Sequence, residues 1–335
     1  MTDDQTRGAS PSEFMRPIED LLFMHPLVTG KVVLHTESIE NLCKTVFRTV
    51  ALRHTGLYYT GKSGVGKSWA LEFLESYLRK KKPNLPVVIH NNKNNQVPSI
   101  RAFFKFYLAT VENERLSGET ADLVLRLTRN LAGIARSSGL DVLVLLIDEA
   151  QNMDLLDFNF LKDVGNELAR EGASLITVLM GQEPQFSKVV RKIQFNQRSD
   201  LISRFVLRQH DFFGIRSADD LRKLLSQIDS QTWEETPGVT WTQFFVPEAY
   251  SAGFRLAVHA EVMFETLLKE QIDKKVEFPA RQVFAAIREF LTDCASQDSP
   301  EMIFETEIWI ESVATSAIAE VVLHEAEAKK KRSKE

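Results

Sequence analysis

The sequence predicts an α/β protein, a parallel five-stranded sheet covered by helices and followed by an all-helical segment. Two observations carry that prediction. Short apolar runs alternate with amphipathic stretches of helical period until about residue 215, the pattern of strand–helix–strand units. After Ser217 no convincing strand remains, and 217–230, 247–274, 279–296 and 305–328 all read as helices.

Taken in order, residues 1–12 form a polar lead-in rich in Asp, Ser, Gly and Pro, expected to be disordered. In SIENLCKTVFRTVALRH (38–54), Ile39, Leu42, Val46 and Val50 recur at helical spacing. GLYYT (56–60) is a short strand running into a glycine-rich loop, and SWALEFLESYLRKKK (68–82) is a helix that Pro83 ends. PVVIH (86–90) is a second buried strand, and amphipathic helices follow at 98–115 and 119–137. DVLVLLIDEA (141–150) is continuously apolar and closes on two acids, as a central parallel strand would. A helix at 155–171 leads to ASLITVLMG (173–181), another such strand, and FVLRQHDFFG (205–214) supplies the fifth.

Composition excludes several classes. A chain of 335 residues with 44% hydrophobic and 26% charged residues is that of an ordinary globular protein. Its net charge of −5 offers no global basic field, so any nucleic-acid surface must be local. Two distant cysteines, Cys43 and Cys294, argue against a disulfide framework and fit a cytoplasmic setting. The seven scattered histidines show no metal-ligand spacing. The longest apolar run, VLVLLI (142–147), is too short to span a bilayer, and the polar N-terminus is no signal peptide, so no membrane partner is expected.

The loop between the first strand and its helix carries the chemistry. In YYTGKSGVGKSW, Gly61, Gly66, Lys67 and Ser68 fit the Walker A spacing G-x-x-x-x-G-K-[ST]. Its glycines let N–H groups converge on phosphate oxygens at a helix N-terminus. The nucleotide contacts are therefore expected from Gly61, Lys62, Ser63, Gly64, Val65, Gly66, Lys67, Ser68 and Trp69, with Lys67 on the β- and γ-phosphates. Ser68 and Asp148, the latter in LLIDEAQNM (145–153), would hold Mg²⁺, and Glu149 would polarise the attacking water. The expected cofactors are ATP and Mg²⁺, and the expected activity is ATP hydrolysis.

GKSGVGKS and LLIDEAQNM, followed by VLMGQEPQF, RSDLISRF and GFRLA, together resemble the AAA+ superfamily, and within it the TniB/TnsC-type transposition ATPases, with ExeA-like ATPases as near relatives. The resemblance covers roughly residues 35–290. It implies a P-loop AAA+ core at 35–215 after a lead-in at 1–34, an all-helical lid at 216–295, and a helical C-terminal extension with a basic tail at 296–335. It assigns Gln182 to the sensor 1 position, where Thr or Asn is more usual, and Arg255 to sensor 2, unless Arg255 is an ordinary exposed arginine. Arg204 in ISRF matches the arginine finger that enters a neighbouring subunit's site, with Arg198 as the alternative. A nucleotide shared by two protomers ties assembly to ATP, as a ring or a helical filament.

Proteins of this type assemble on double-stranded DNA and link a target-selector protein to transposase subunits, and the resemblance implies those partners here. Lys93, Arg101 and Lys105, within HNNKNNQVPSIRAFFKF (90–106), are the DNA-binding candidates, because this region lines the pore in related DNA-encircling ATPases. A polar loop and a solvated helix face account for them equally well. The tail KKKRSK (329–334) is a solvated end that could also touch DNA, and Trp233 and Trp241 are expected in the lid core. Two other assignments remain: an ExeA-like ATPase assembling a non-DNA complex, and a helicase-loader-type ATPase.

Overall fold

A computed structural model describes residues 18–30, 34–92, 99–111, 116–270 and 276–324. The lead-in at 1–12, the candidate Lys93 and the basic tail lie outside these residues.

Two short helices, α1 (Ile18–Met24) and α2 (Pro26–Thr29), precede α3 (Glu37–Ala51). The α/β series then runs β1 (Gly56–Gly61), α4 (Lys67–Lys81), β2 (Val87–Asn91), α5 (Ile100–Thr110), α6 (Thr120–Ser137) and β3 (Val142–Asp148). It continues through α7 (Leu155–Arg170), β4 (Ser174–Gln182), α8 (Gln185–Phe195), the short α9 (Ser199–Leu201), a π-helical turn at Ile202–Val206 and β5 (Gln209–Asp211). The five strands pair in parallel in the order β2-β3-β4-β1-β5.

β3 shows why its sequence lacks polar alternation. Val142, Val144 and Leu146 face one layer, in which Leu42 and Val46 of α3 and Leu71, Leu74 and Leu78 of α4 are buried. Leu143, Leu145 and Ile147 face the other, with Phe104 of α5, Leu127 of α6 and Leu161 of α7. Side chains alternate across a strand, so a strand covered on both faces must be apolar at every position. Each such residue contributes about 1.5–3 kcal/mol by leaving water. The fifth strand is shorter than the sequence predicted, because its first residues are taken into the π-helical turn.

The remainder comprises α10 (Ala218–Ser230), β6 (Thr232–Trp233), β7 (Thr236–Thr240), α11 (Trp241–Phe245), α12 (Pro247–Ser251), a 3-10 turn (Leu256–His259), α13 (Ala260–Lys269), α14 (Ala280–Ala295) and α15 (Thr306–Thr315). Two expectations are corrected here. The segment is not all-helical, since β6 and β7 form an antiparallel hairpin too short to show a period of two. The helix expected over 247–274 is broken after α12, where Gly253 takes φ +110°, a conformation that side-chain-bearing residues rarely adopt.

Past the break, the buried Asp229 carboxylate accepts the N–H groups of Leu256 and Ala257 at 3.0 Å and the Thr242 hydroxyl at 2.6 Å. Charge-assisted bonds of this kind fix the irregular segment that periodicity could not predict. Trp241 is buried in this third cluster and Trp233 packs against it. The two cysteines lie in different clusters, Cys43 on the α3–α4 side of the sheet and Cys294 in the helical region, and burial pushes both thiols up to about 12.

Candidate nucleotide site

The Walker-type residues wrap the C-terminal end of β1 and open α4. Gly61 pairs with Gln182 in the β1–β4 register, and its other flank lies so close to β5 that an added Cβ would stand 2.2 Å from the Phe212 carbonyl oxygen. No other residue fits without moving a strand. Gly66 is the N-cap of α4 at φ +94°, which turns the chain so that the helix dipole points back at the loop.

Ser63, Gly64, Val65, Gly66, Lys67, Ser68 and Trp69 line a cavity of about 450 Å³, within the range of small-ligand sites. Glu149 and Gln182 line the same cavity, so the ends of β1, β3 and β4 converge there. Pro26, Leu27, Leu34 and Ile39 give the cavity an apolar wall, Trp241 and Phe284 add further apolar lining, and Arg281 and Arg288 line it as well. Convergent polar groups beside an apolar wall match a ligand with a charged end and a flat apolar end.

Lys67 is buried, and its Nζ donates to the carbonyl oxygens of Gly61 at 3.1 Å and Lys62 at 2.6 Å. Burial lowers its pKa; the carboxylates of Glu149, Asp148, Glu183 and Glu277 act in the opposite direction. Lys62 stands 3.7 Å from Glu277, which is itself buried and accepts the Gly214 N–H.

Asp148 ends β3, is buried, and accepts the Glu149 N–H on Oδ1 at 2.8 Å. Glu149 lies at φ +53°, in the left-handed region, and its carboxylate accepts a hydrogen bond from the Gln151 carboxamide. The Gln151 Oε1 accepts the Gln182 N–H at 2.8 Å. Among the described residues, no group of three or more His, Cys, Asp or Glu gathers to hold a metal ion. A divalent cation here would therefore depend on Ser68, Asp148, water and ligand oxygens, a set suited to Mg²⁺, which keeps much of its water.

The other assigned residues lie elsewhere. Arg255 is not among the residues lining the cavity; its Nη1 donates to the Tyr250 and Phe254 carbonyl oxygens at 2.7 and 2.6 Å, and its guanidinium stacks 3.5 Å from the Tyr250 ring centroid. The arginines lining the cavity are Arg281 and Arg288, both on α14. The Arg281 N–H donates to the Gly64 carbonyl at 3.0 Å, which presses α14 onto the cradle.

Arg204 lies at the opposite end of β1, beside Gly56, where its side chain donates to the Lys162 carbonyl at 3.3 Å and Asn166 Oδ1 at 2.9 Å. It lines a second cavity, of about 280 Å³, with Arg53, Thr55 and Ser174. Arg198 is committed to Asp200, at 2.9 and 2.8 Å, and to Asn159, at 2.5 Å. These bonds from Arg198, with a further one from Lys162, hold the Asp200 carboxyl well below the usual range. Arg101 and Lys105 lie one turn apart on α5, with Arg101 donating to the Gly118 carbonyl at 3.0 Å.

Sequence reasoning missed Gln151, Arg281 and Arg288. The signal for Gln151 stood beside Glu149 in DEAQN, whereas the two arginines follow a Pro–Ala pair that marks only a helix start.

Comparison with known proteins agrees with this fold. The family model described as an AAA domain matches residues 52–190, from the end of α3 through the cradle to α8. No curated protein matches the sequence. Among solved structures, the Aeropyrum pernix ORC2 protein in its ADP form superposes with a TM-score of 0.55 at 14% identity, covering 86% of this chain and 70% of that one. Cdc6p from Pyrobaculum aerophilum gives 0.51 at 14% identity, covering 80% and 65%. The Walker-type ATPase of Pyrococcus abyssi gives 0.50 at 14% identity, covering 89% and 75%. At such identities the likeness is one of fold. Sheet order, cradle and family match thus lead to one conclusion: residues 52–190 resemble an AAA domain, and the chain has the P-loop AAA+ fold with a predominantly helical region after its sheet.

Proposed function

We propose that this chain is an ATP-hydrolysing switch that assembles with copies of itself on double-stranded DNA and serves as a regulator of DNA transposition. The observation that carries the switch is a separation. The cradle, Glu149 and Gln182 line one cavity, whereas Arg204 sits at the far end of β1. Six residues of strand put the two about 16 Å apart along its axis. An arginine placed there cannot serve its own cradle; it would leave Lys162 and Asn166 to reach the cradle of a neighbouring copy, and a head-to-tail contact of this kind repeats.

Within the site, Lys67 would leave its loop carbonyls for the β- and γ-phosphate oxygens, to which the backbone N–H groups of Gly64 and Gly66 also point charge. Glu149 would accept the proton of the attacking water, and Gln182 would orient that water or the γ-phosphate. Ser68, and Asp148 through water, would hold Mg²⁺, which would supply positive charge to offset that of the phosphates. Arg281 and Arg288 would close on the phosphates and ribose from the lid side. The apolar wall of Pro26, Leu27 and Ile39 would receive the base.

The link to DNA transposition rests on the motif set GKSGVGKS, LLIDEAQNM, VLMGQEPQF and ISRF, with Arg101 and Lys105 as phosphate contacts on α5. Transposase subunits and a target selector are the partners this reading requires. The test is sedimentation and negative-stain imaging with duplex DNA and a slowly hydrolysed ATP analogue. Nucleotide-dependent assemblies on DNA are expected, and none from Lys67→Ala. Assembly that ignores DNA would move the protein to the non-DNA ATPases of the ExeA-like kind.

A further inference from the structure

The structure assigns Gln151 as a positioning residue that fixes the Glu149 carboxylate against the end of β4. The inference rests on the reading of Glu149 as the base. β3 and β4 pair in register only as far as Ile147 and Leu179, so beyond that rung no ladder bond holds their ends together. The Gln151 carboxamide spans the gap. Its Nε2 donates to Glu149 Oε2, and its Oε1 accepts the N–H of Gln182, the last residue of β4, at 2.8 Å.

A carboxamide presents a donor and an acceptor on one planar head, whereas a carboxylate would repel Glu149 and an ammonium could not accept from Gln182. The need for such a clamp follows from the backbone. Glu149 sits at φ +53°, a left-handed conformation unfavourable to a non-glycine residue, so the surrounding bonds must over-determine its place. The Asp148 carboxylate holds the Glu149 main chain through its N–H, but it does not orient the side chain. Gln151 does, leaving the other carboxylate oxygen for a water. The same amide anchors the backbone of Gln182, whose side chain shares the cavity. One residue thus sets the distance between the two groups assigned to the attacking water.

Three variants of the full chain test this. Gln151→Met keeps length and bulk but removes both bonds. Gln151→Glu keeps the acceptor for Gln182 and replaces the donor by a like charge. Glu149→Gln is the reference for loss of the base. A misaligned general base forfeits part of its hundredfold or greater contribution, so Gln151→Met and Gln151→Glu should each lower kcat by about tenfold or more. Gln151→Met should leave KM and the nucleotide Kd within about twofold, the pattern of an interaction needed for chemistry rather than binding.

Hydrogen exchange in the nucleotide-free protein supplies a readout independent of turnover. The Gln182 amide should lose protection in Gln151→Met and keep it in Gln151→Glu. Wild-type turnover in Gln151→Met would overturn the assignment, because space-filling alone would then suffice. A rise in turnover would also overturn it, by showing a latch that holds Glu149 back. Wild-type turnover in Glu149→Gln would instead remove the base assignment beneath the proposal, a failure distinct from that of the clamp.

Discussion

The backbone N–H of Arg281 donates to the Gly64 carbonyl oxygen at 3.0 Å, so the helix that covers the nucleotide site is bonded to the loop that forms its floor. A main-chain bond survives truncation of the Arg281 side chain to alanine. The guanidinium can therefore be removed without detaching α14.

Arg281→Ala is expected to weaken ATP binding by about tenfold, the worth of one charge-assisted contact, with little change in Tm. Arg255→Ala should leave affinity unchanged and lower Tm, because its guanidinium is spent on Tyr250 and Phe254. Fluorescent-nucleotide titration and thermal melts of both variants check the pair. Equal losses of affinity would return Arg255 to the site.

Lys67 is buried with its pKa lowered by desolvation, so it costs the nucleotide-free fold stability. Lys67→Met should therefore abolish nucleotide binding and yet melt at or above the wild-type temperature, with a gain of about 1 kcal/mol. Calorimetry without nucleotide gives the sign.

His25 and His90 are both buried, and desolvation lowers each pKa to about 4. The folded state prefers them neutral, whereas the unfolded chain protonates them near 6.5. Their contribution is complete above pH 6.5 and is lost as pH falls toward 4, by an amount on the order of 1–3 kcal/mol per residue. His90 stacks on Tyr107 and bonds Thr110, so His90→Gln should shorten the acid limb of a stability–pH curve, measured by urea melts, at some cost in neutral stability.

Arg204→Ala should bind ATP normally but hydrolyse it at least about a hundredfold more slowly, as for an arginine supplied in trans. Mixing it with Lys67→Ala subunits should restore turnover, since each lends what the other lacks. Arg198→Ala should instead release Asp200 and affect local stability. Loss in Arg198→Ala alone, rescued by mixing, would exchange their roles.

The α/β half could be anticipated because its strands are buried on both faces, which leaves continuous apolar runs such as that of β3. The cradle could be anticipated because its geometry needs glycine at fixed spacing, as the contact between Gly61 and Phe212 shows. What the sequence hid depends on tertiary partners. The β6–β7 hairpin is too short for a period, and the irregular turn after Gly253 is held by Asp229, 27 residues before Leu256. Arg281 is brought to the cradle by the packing of α14, and Gln151 acts by bonding the backbone of Gln182, 31 residues further on, at the end of the next strand. Lid residues that meet a loop more than two hundred positions earlier leave no local trace.

The two buried thiols give the molecule a pair of internal clocks. Cys43 and Cys294 are each 3% exposed, and both thiols are held far from the reactive thiolate at neutral pH. An alkylating reagent can reach either sulfur only when the packing around it opens. One clock runs with the opening of the layer between α3 and α4, the other with that of the helical cluster around α14. Their separate rates, with and without ATP, would show which half of the protein nucleotide quiets.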